Sequence, residues 1–463
     1  MDQLAEREKR VNDAIALRKP DRVPVWHGVP GRYPAEVLGI TPEEQMADVD
    51  KSLEANFQTA LYYQSDMVEI MPPIGATLAP AGYRHLKWAG RGLPASSGWQ
   101  FVDEEVMKAE EYDEFIYDPS DFIVRKYWPR AYRRLAGLAG LMPLREGQGY
   151  FAGPFAFAAF GTPAGVEALD ALREAGAAGL KTVMALGGHG RRLAEAGFPM
   201  SWSAFGAAPF DLVGDFLRGR KGVMLDMFRC PEKLEAAAEK MLPMAIEMAV
   251  RGAAMSQGSI PHGATPTGCD GRAEGEDAGS VRSGATGVTE DTASRRPAQN
   301  ERPRLDAESS SVNPRVFIAI HGGVEGFMSL DQYKRFYWPT LQQTLVALAD
   351  AGLNPFVLVE GGSNSRLETM ADIPPGKVCY WFDHVDMRRA KGVLGGRACI
   401  AGNVPIALLT VGTPDDVRAY CKDLIDNVAV DGGFIMGASG QTEDVKVENV
   451  KAMVDFTKEY GVY

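Results

Sequence analysis

The run RVFIAIHGG fills residues 315–323, and four more apolar runs follow it: PFVLVEGG (355–362), VCYWFDHVD (378–386), CIAGNVP (399–405) and GFIMGAS (433–439). Each is short and nearly continuously apolar, as a strand covered on both faces of a parallel sheet must be. Helical patterns separate them. SLDQYKRFYWPTLQQTLVALADAG (329–352) opens on Ser329, an N-cap residue type, and closes on Gly352. TPDDVRAYCKDLIDNV (413–428) begins with Thr-Pro and two acids, which suit the positive end of a helix. VENVKAMVDFTKEYG (447–461) closes in the same style. Upstream, RVPVWHG (22–28), DMVEIM (66–71) and MSWSAFGAAPF (200–210) complete a set of eight runs. Eight strands alternating with helices point to an α/β fold, a (β/α)8 TIM barrel over residues 1–463 as one domain. A doubly wound open sheet is the alternative, but no GxGxxG follows any of the runs.

About 130 residues separate the second run from the third. They read as an elaborated loop region at the barrel mouth. HLKWAGRGLPASSGWQFVDEEV (85–106) is a hairpin pattern followed by a helix, and helices are expected from about 124 to 197. GGHG (187–190) reads as a break in one of them, and His85 and His189 as surface or structural residues. Residues 256–312 are rich in Gly, Ser, Thr, Ala, Pro and charge and contain no aromatic residue. They cannot bury enough apolar area to offset the entropy of ordering, so a disordered insertion is expected there. His262 and Cys269, inside it, are discounted.

Across the 463 residues, 49 basic against 61 acidic side chains give a net charge of −12, with 45% hydrophobic and 24% charged residues. That composition is globular, and the acidic balance argues against nucleic acid and anionic membranes as partners. No apolar run approaches the ~20 residues that span a bilayer. The charged start MDQLAEREKR has no apolar segment of the secretory type. Five widely spaced cysteines without a CxxC pair read as reduced thiols, so a cytoplasmic protein is expected. Cys379 and Cys399 lie four residues before Asp383 and Asn403, which places them toward the closed end of the barrel as core thiols.

In a TIM barrel the chemistry sits at the C-terminal strand ends. Those ends offer His27 and Arg32, then Asp66 and Glu69, Asp211 and Asp215, His321 and Glu325, Glu360, Asp383 and His384, Asn403, and Ser439. Any one of them alone is as well explained by capping or a backbone hydrogen bond. Four stand together: His321, Glu360, Asp383 and His384 fall on three successive strand ends, about 4.8 Å apart from strand to strand. That grouping suits general acid–base work or a divalent metal with mixed nitrogen and oxygen ligands, namely His321, Glu360 and His384. His27, Arg32, Asp215, Asn403 and Ser439 are then substrate-binding candidates.

The segments RVPVWHGVPGRYP, FGAAPFDLVGDFLRG, FDHVDM, CIAGNVPIALLTVGTPDDVRAYCKDLI and GGFIMGASG, with the closing ENVKAMVDFTKEYG, resemble the uroporphyrinogen decarboxylase superfamily. The resemblance covers most of the chain outside 256–312 and implies a single (β/α)8 barrel. It implies one of two activities: cofactor-free decarboxylation of tetrapyrrole acetate arms in porphyrin biosynthesis, or methyl transfer involving a corrinoid (cobalamin-type) protein, commonly with zinc. The decarboxylase pattern is altered here. Its first loop arginine falls at Gly28 and its second at Arg32. Its aspartate falls at Pro73, its tyrosine at Asp215 and its last histidine at Ser439. The zinc pattern is altered too: His-x-Cys falls at Leu358-Val359-Glu360 and the last cysteine near Gly440. The resemblance therefore implies a divergent, corrinoid-methyltransferase-like branch. Expected with it are a small methylated substrate, zinc on Glu360 and the histidines, a corrinoid on this chain or a partner protein, and a homodimer. Tetrapyrrole decarboxylation is the alternative and a non-catalytic binding scaffold the third reading.

Overall fold

The computed structural model describes residues 2–28, 31–69, 73–256, 314–440 and 444–463. The expected insertion lies, from residue 257 on, outside the described residues. The described chain is mixed α/β. A six-stranded parallel sheet runs β4 (Ala204–Ala207), β5 (Arg315–Ile320), β6 (Asn354–Gly362), β7 (Cys379–His384), β8 (Cys399–Gly402) and β9 (Phe434–Ile435). Five of the apolar runs that decide the fold are thus strands in sequence order, paired neighbour to neighbour. Register brings Ile320 beside Val359, Val359 beside Phe382, and Phe382 beside Gly402. The residues that follow, His321, Glu360, Asp383 and Asn403, stand at or just beyond the C-terminal ends of their strands.

The first two runs do not form ladders. They join by single parallel bridges: Val25 with Met436, Trp26 with Met67, and Val68 with Met200. Proline explains part of this difference from the expectation. Pro24 has no N–H to donate and contributes only its carbonyl, which accepts from Met436 N at 2.9 Å.

Alternation along the strands sorts side chains onto two faces. One face gathers Trp26, Met67, Trp202, Phe356, Leu358, Cys379, Trp381, Cys399, Ala401 and Ile435. Val11, Ala14 and Ile15 of the helix Gln3–Ile15 pack on the same cluster. The opposite face, with Val316, Ile318, Val357, Tyr380 and Ile400, packs under the long helices Pro231–Ser256, Trp338–Asp350, Pro414–Asn427 and Val447–Tyr460. The helix Gln3–Ile15 sits at the N-terminal end of the strands. There the buried Arg315 guanidinium donates to Glu8 and Asn12 at 2.9 Å, and to the carbonyls of Ser201 and Met200. Cys379 and Cys399, paired in register at this end, are buried core thiols as expected.

The loop region contains an antiparallel pair, β1 (Leu86–Ala89) with β3 (Trp99–Phe101), and a short β2 (Gly92–Leu93). GGHG does not break a helix. It lies inside Pro163–Glu195, where flanking residues of high helix propensity carry the chain through its glycines. His189 is buried there and His85 is buried beside the hairpin, so neither is a surface residue. None of the described helices is long and apolar enough to cross a membrane.

Candidate functional site

His321 follows β5 directly and is fixed by its own backbone. Its N–H and that of Gly322 donate to the two oxygens of Asp211, at 3.3 and 3.0 Å. The two glycines after His321 are required by space. A Cβ at Gly322 would come 2.4 Å from Asp211 Oδ1, and one at Gly323 would come 2.7 Å from the Tyr333 ring. Asp211 lies on the helix Pro209–Val213 and also accepts from Tyr337 Oη at 2.5 Å. Asp215, in the wider turn Gly214–Arg218, reaches His321 Nε2 at 2.5 Å. On the other side of the ring, Nδ1 lies 3.8 Å from Glu360 Oε2. The imidazole therefore stands between two carboxylates with a third beneath it.

The electrostatics follow from that placement. Burial alone would lower the His321 pKa, but Asp211, Asp215 and Glu360 outweigh it and lift it to about 9. At neutral pH the ring is an imidazolium with both nitrogens protonated. Burial pushes the Asp211 carboxyl up, against the pull of His321. Glu360 is also pushed up, first by burial, and then by Asp383 and Asp215 against His321 and Arg220. Its side chain is 48% exposed, so water screens much of that push.

The other expected residues fall into two groups. Asp383 accepts from Gly361 N at 3.1 Å and pairs with His384 Nδ1 at 2.8 Å, beside Glu360 but aimed at its own neighbours. His384, with a side chain 78% exposed, stands away from His321. Asn403 is consumed by structure: its amide donates to the carbonyls of Asp383 and Val385, and its oxygen accepts from Tyr420. Ser439 is buried and accepts from Ile406 N. Arg32 pairs with Asp444 and donates to the Ser96 carbonyl. His27 does not join the group. Strand alternation turns it away from the Trp26 face, and it is buried against Tyr63 and Tyr33 with Nδ1 2.5 Å from Ser65 Oγ. Burial lowers its pKa to about 3, which keeps it neutral. Asp66 is an anchor: Arg10, Arg22 and Val25 N all bind its fully buried carboxylate. Sequence reasoning missed Tyr337. Its spacing of four from Tyr333 reads as an apolar helix face, and nothing local marks it as the partner of Asp211.

The zinc expectation does not fit these residues. Among the described residues no three His, Cys, Asp or Glu side chains gather as metal ligands. Both nitrogens of His321 face carboxylates, an arrangement that favours a proton on each rather than a lone pair for a metal.

Comparison with known proteins adds a partial family likeness. The family "Uroporphyrinogen decarboxylase (URO-D)" matches residues 316–460. Over residues 316–460, under a third of the chain, the protein is similar to that family. The segment includes His321, Glu360, Asp383, His384, Asn403 and Ser439, whereas Asp211 and Asp215 precede it. Two curated relatives named uroporphyrinogen decarboxylase share 27% identity with the chain. The one from Chlorobium luteolum aligns over 147 residues, 31% of this chain and 41% of its own length. The one from Chlorobium phaeovibrioides aligns over 169 residues, 34% of this chain and 48% of its own. The chain thus spans less than half the length of these relatives. A solved structure of a methyltransferase from Methanosarcina mazei matches 98% of both chains, with a TM-score of 0.57 at 14% identity, which is a likeness of fold.

Proposed function

We propose that this chain is a closed (β/α)8-barrel enzyme that removes a methyl group from a small methylated oxygen compound and passes it to a corrinoid held by a partner protein. The single bridges at Val25, Trp26 and Val68 carry the sheet from β9 round toward β4, which supports closure. Members of the superfamily are enzymes. The observation that carries the reading is the His321 ring held between Asp215 and Glu360.

Breaking a CH3–O bond leaves both bonding electrons on oxygen, and that oxygen must take a proton. His321 and Glu360 hold a proton at the strand ends, with a 3.8 Å gap between Nδ1 and Oε2 that a substrate oxygen or one water can bridge. His321 donates from Nδ1 as the oxygen departs. Asp215 keeps the proton on Nε2 and the ring in its orientation. The corrinoid, when presented at the mouth, supplies the nucleophile that accepts the methyl group. The product is the demethylated alcohol or phenol. The test is release of phenol from methoxybenzene by the purified protein with reduced cobalamin. His321→Gln is expected to slow it by roughly 10²–10⁴-fold; a variant as fast as wild type sinks the reading.

Decarboxylation of uroporphyrinogen is the second reading, favoured by the match over 316–460 and by the names of the two curated relatives. Electrostatics oppose it. A tetrapyrrole with many carboxylates would meet Asp211, Asp215, Glu360 and Asp383 at one end of the sheet and be repelled. No CO2 release from uroporphyrinogen is the expected result; release at a rate dependent on His321 would replace the first reading with this one.

A further inference from the structure

Glu69, the acidic residue at the end of the second run, has a carboxyl that no hydrogen bond among the described residues holds. It is 3% exposed, and its Oε2 has no hydrogen-bond partner. Its direction follows from its neighbours. Val68 packs outward with Phe57, Ala60, Leu193 and Phe198. Met67 packs on the opposite face with Trp26, Trp202 and Trp381. Alternation puts Glu69 on the Met67 face, one step nearer the C-terminal end of the strands than the Trp26–Met67 bridge.

The same face is open above that layer. Phe205 pairs in register with Phe317, which packs on the Trp26 cluster, so Phe205 faces the same way. Yet it is 50% exposed in mid-strand. Its ring meets Trp202 and Phe317, at 6.4 and 6.0 Å between centroids, and the rest of it stays open on the face that Glu69 shares, further toward the C-terminal strand ends than the Val68–Met200 bridge. Burial with no compensating charge pushes the Glu69 carboxyl well above the usual range, which favours its neutral form with an O–H to donate. An unsatisfied buried polar group costs about 1–3 kcal/mol, and a ligand that accepts from it removes that cost.

We propose that Glu69 is a specificity-determining residue whose carboxyl donates a hydrogen bond to a neutral oxygen of the substrate, with an apolar ring of that substrate lying toward Phe205. This rests on the proposed methyl-transfer reading for the identity of the oxygen compound. It adds a preference for an uncharged oxygen acceptor, which agrees with the anionic strand ends around His321.

Binding is measured by calorimetry without any corrinoid, using methoxybenzene and methylthiobenzene, which differ by oxygen against a weakly accepting sulfur. The proteins are wild type, Glu69→Gln, which retains an N–H donor, and Glu69→Leu. Wild type and Glu69→Gln should prefer methoxybenzene, and Glu69→Leu should bind it about tenfold more weakly with methylthiobenzene unchanged. Glu69→Leu should also unfold at a higher temperature than wild type, since it removes the unpaired acid; this shows that lost binding is not lost folding. Equal binding of methoxybenzene by wild type and Glu69→Leu, or no binding by wild type, overturns the proposal. If the Glu69-dependent preference appears while no methyl group is ever transferred, Glu69 keeps its role and the transfer reading falls.

Discussion

Asp215→Asn tests the electrostatic argument at its centre. The structure lifts His321 from 6.5 to about 9. At 1.36 kcal/mol for each tenfold change, that rise amounts to about 3 kcal/mol in favour of the protonated ring. The side chain is only 20% exposed, so solvent screening removes a modest part of this. The folded state binds the proton more tightly than the unfolded state. The stabilisation is therefore complete below pH 6.5, and it drains away as the pH rises through about 9. Asp215→Asn keeps the size of the side chain and removes its charge. It should bring the His321 midpoint down by one unit or more, within the roughly 1–3 units expected of a single opposite charge. The assay is NMR titration of the His321 ring proton, with urea unfolding at pH 6 and pH 10 on wild type and His321→Asn. The stability gap between wild type and His321→Asn should be a few kcal/mol at pH 6 and shrink at pH 10. A wild-type midpoint at or below 6.5, an unmoved midpoint in Asp215→Asn, or a gap that does not change with pH would each refute the reasoning.

Two further outcomes are expected. Asp66→Asn, which leaves Arg10 and Arg22 facing a neutral amide in a fully buried place, should cost roughly 3–5 kcal/mol in urea unfolding, with no direct effect on His321. Dialysis against a chelator should leave the thermal midpoint and phenol release unchanged, because the two ring nitrogens of His321 face Asp215 and Glu360, which favour a proton on each rather than a metal; one tightly held zinc per chain, lost in Glu360→Ala, would reverse that conclusion.

The periodicity of the sequence was enough to place β5 to β9 in order and to put Cys379 and Cys399 at the buried start of their strands. A run of apolar residues with helices on either side has few ways to hide its backbone polar groups, and the parallel sheet is one of them. The same logic made His321, Glu360 and Asp383 neighbours, since adjacent strands end at adjacent points. It could not decide orientation. His27 and Glu69 both stand near strand ends, but one residue of phase turns His27 out against Tyr63 and Glu69 inward to the Trp26 face. Nor could it supply partners across large separations. Asp211 and Asp215 reach His321 from 110 and 106 residues away, and Tyr337 meets Asp211 across 126. Local sequence encodes the pattern of apolar and polar positions, and so the elements and their order. Which carboxylates surround a histidine, and so whether its ring is a metal ligand or an acid, depends on packing between elements that only the folded chain brings together.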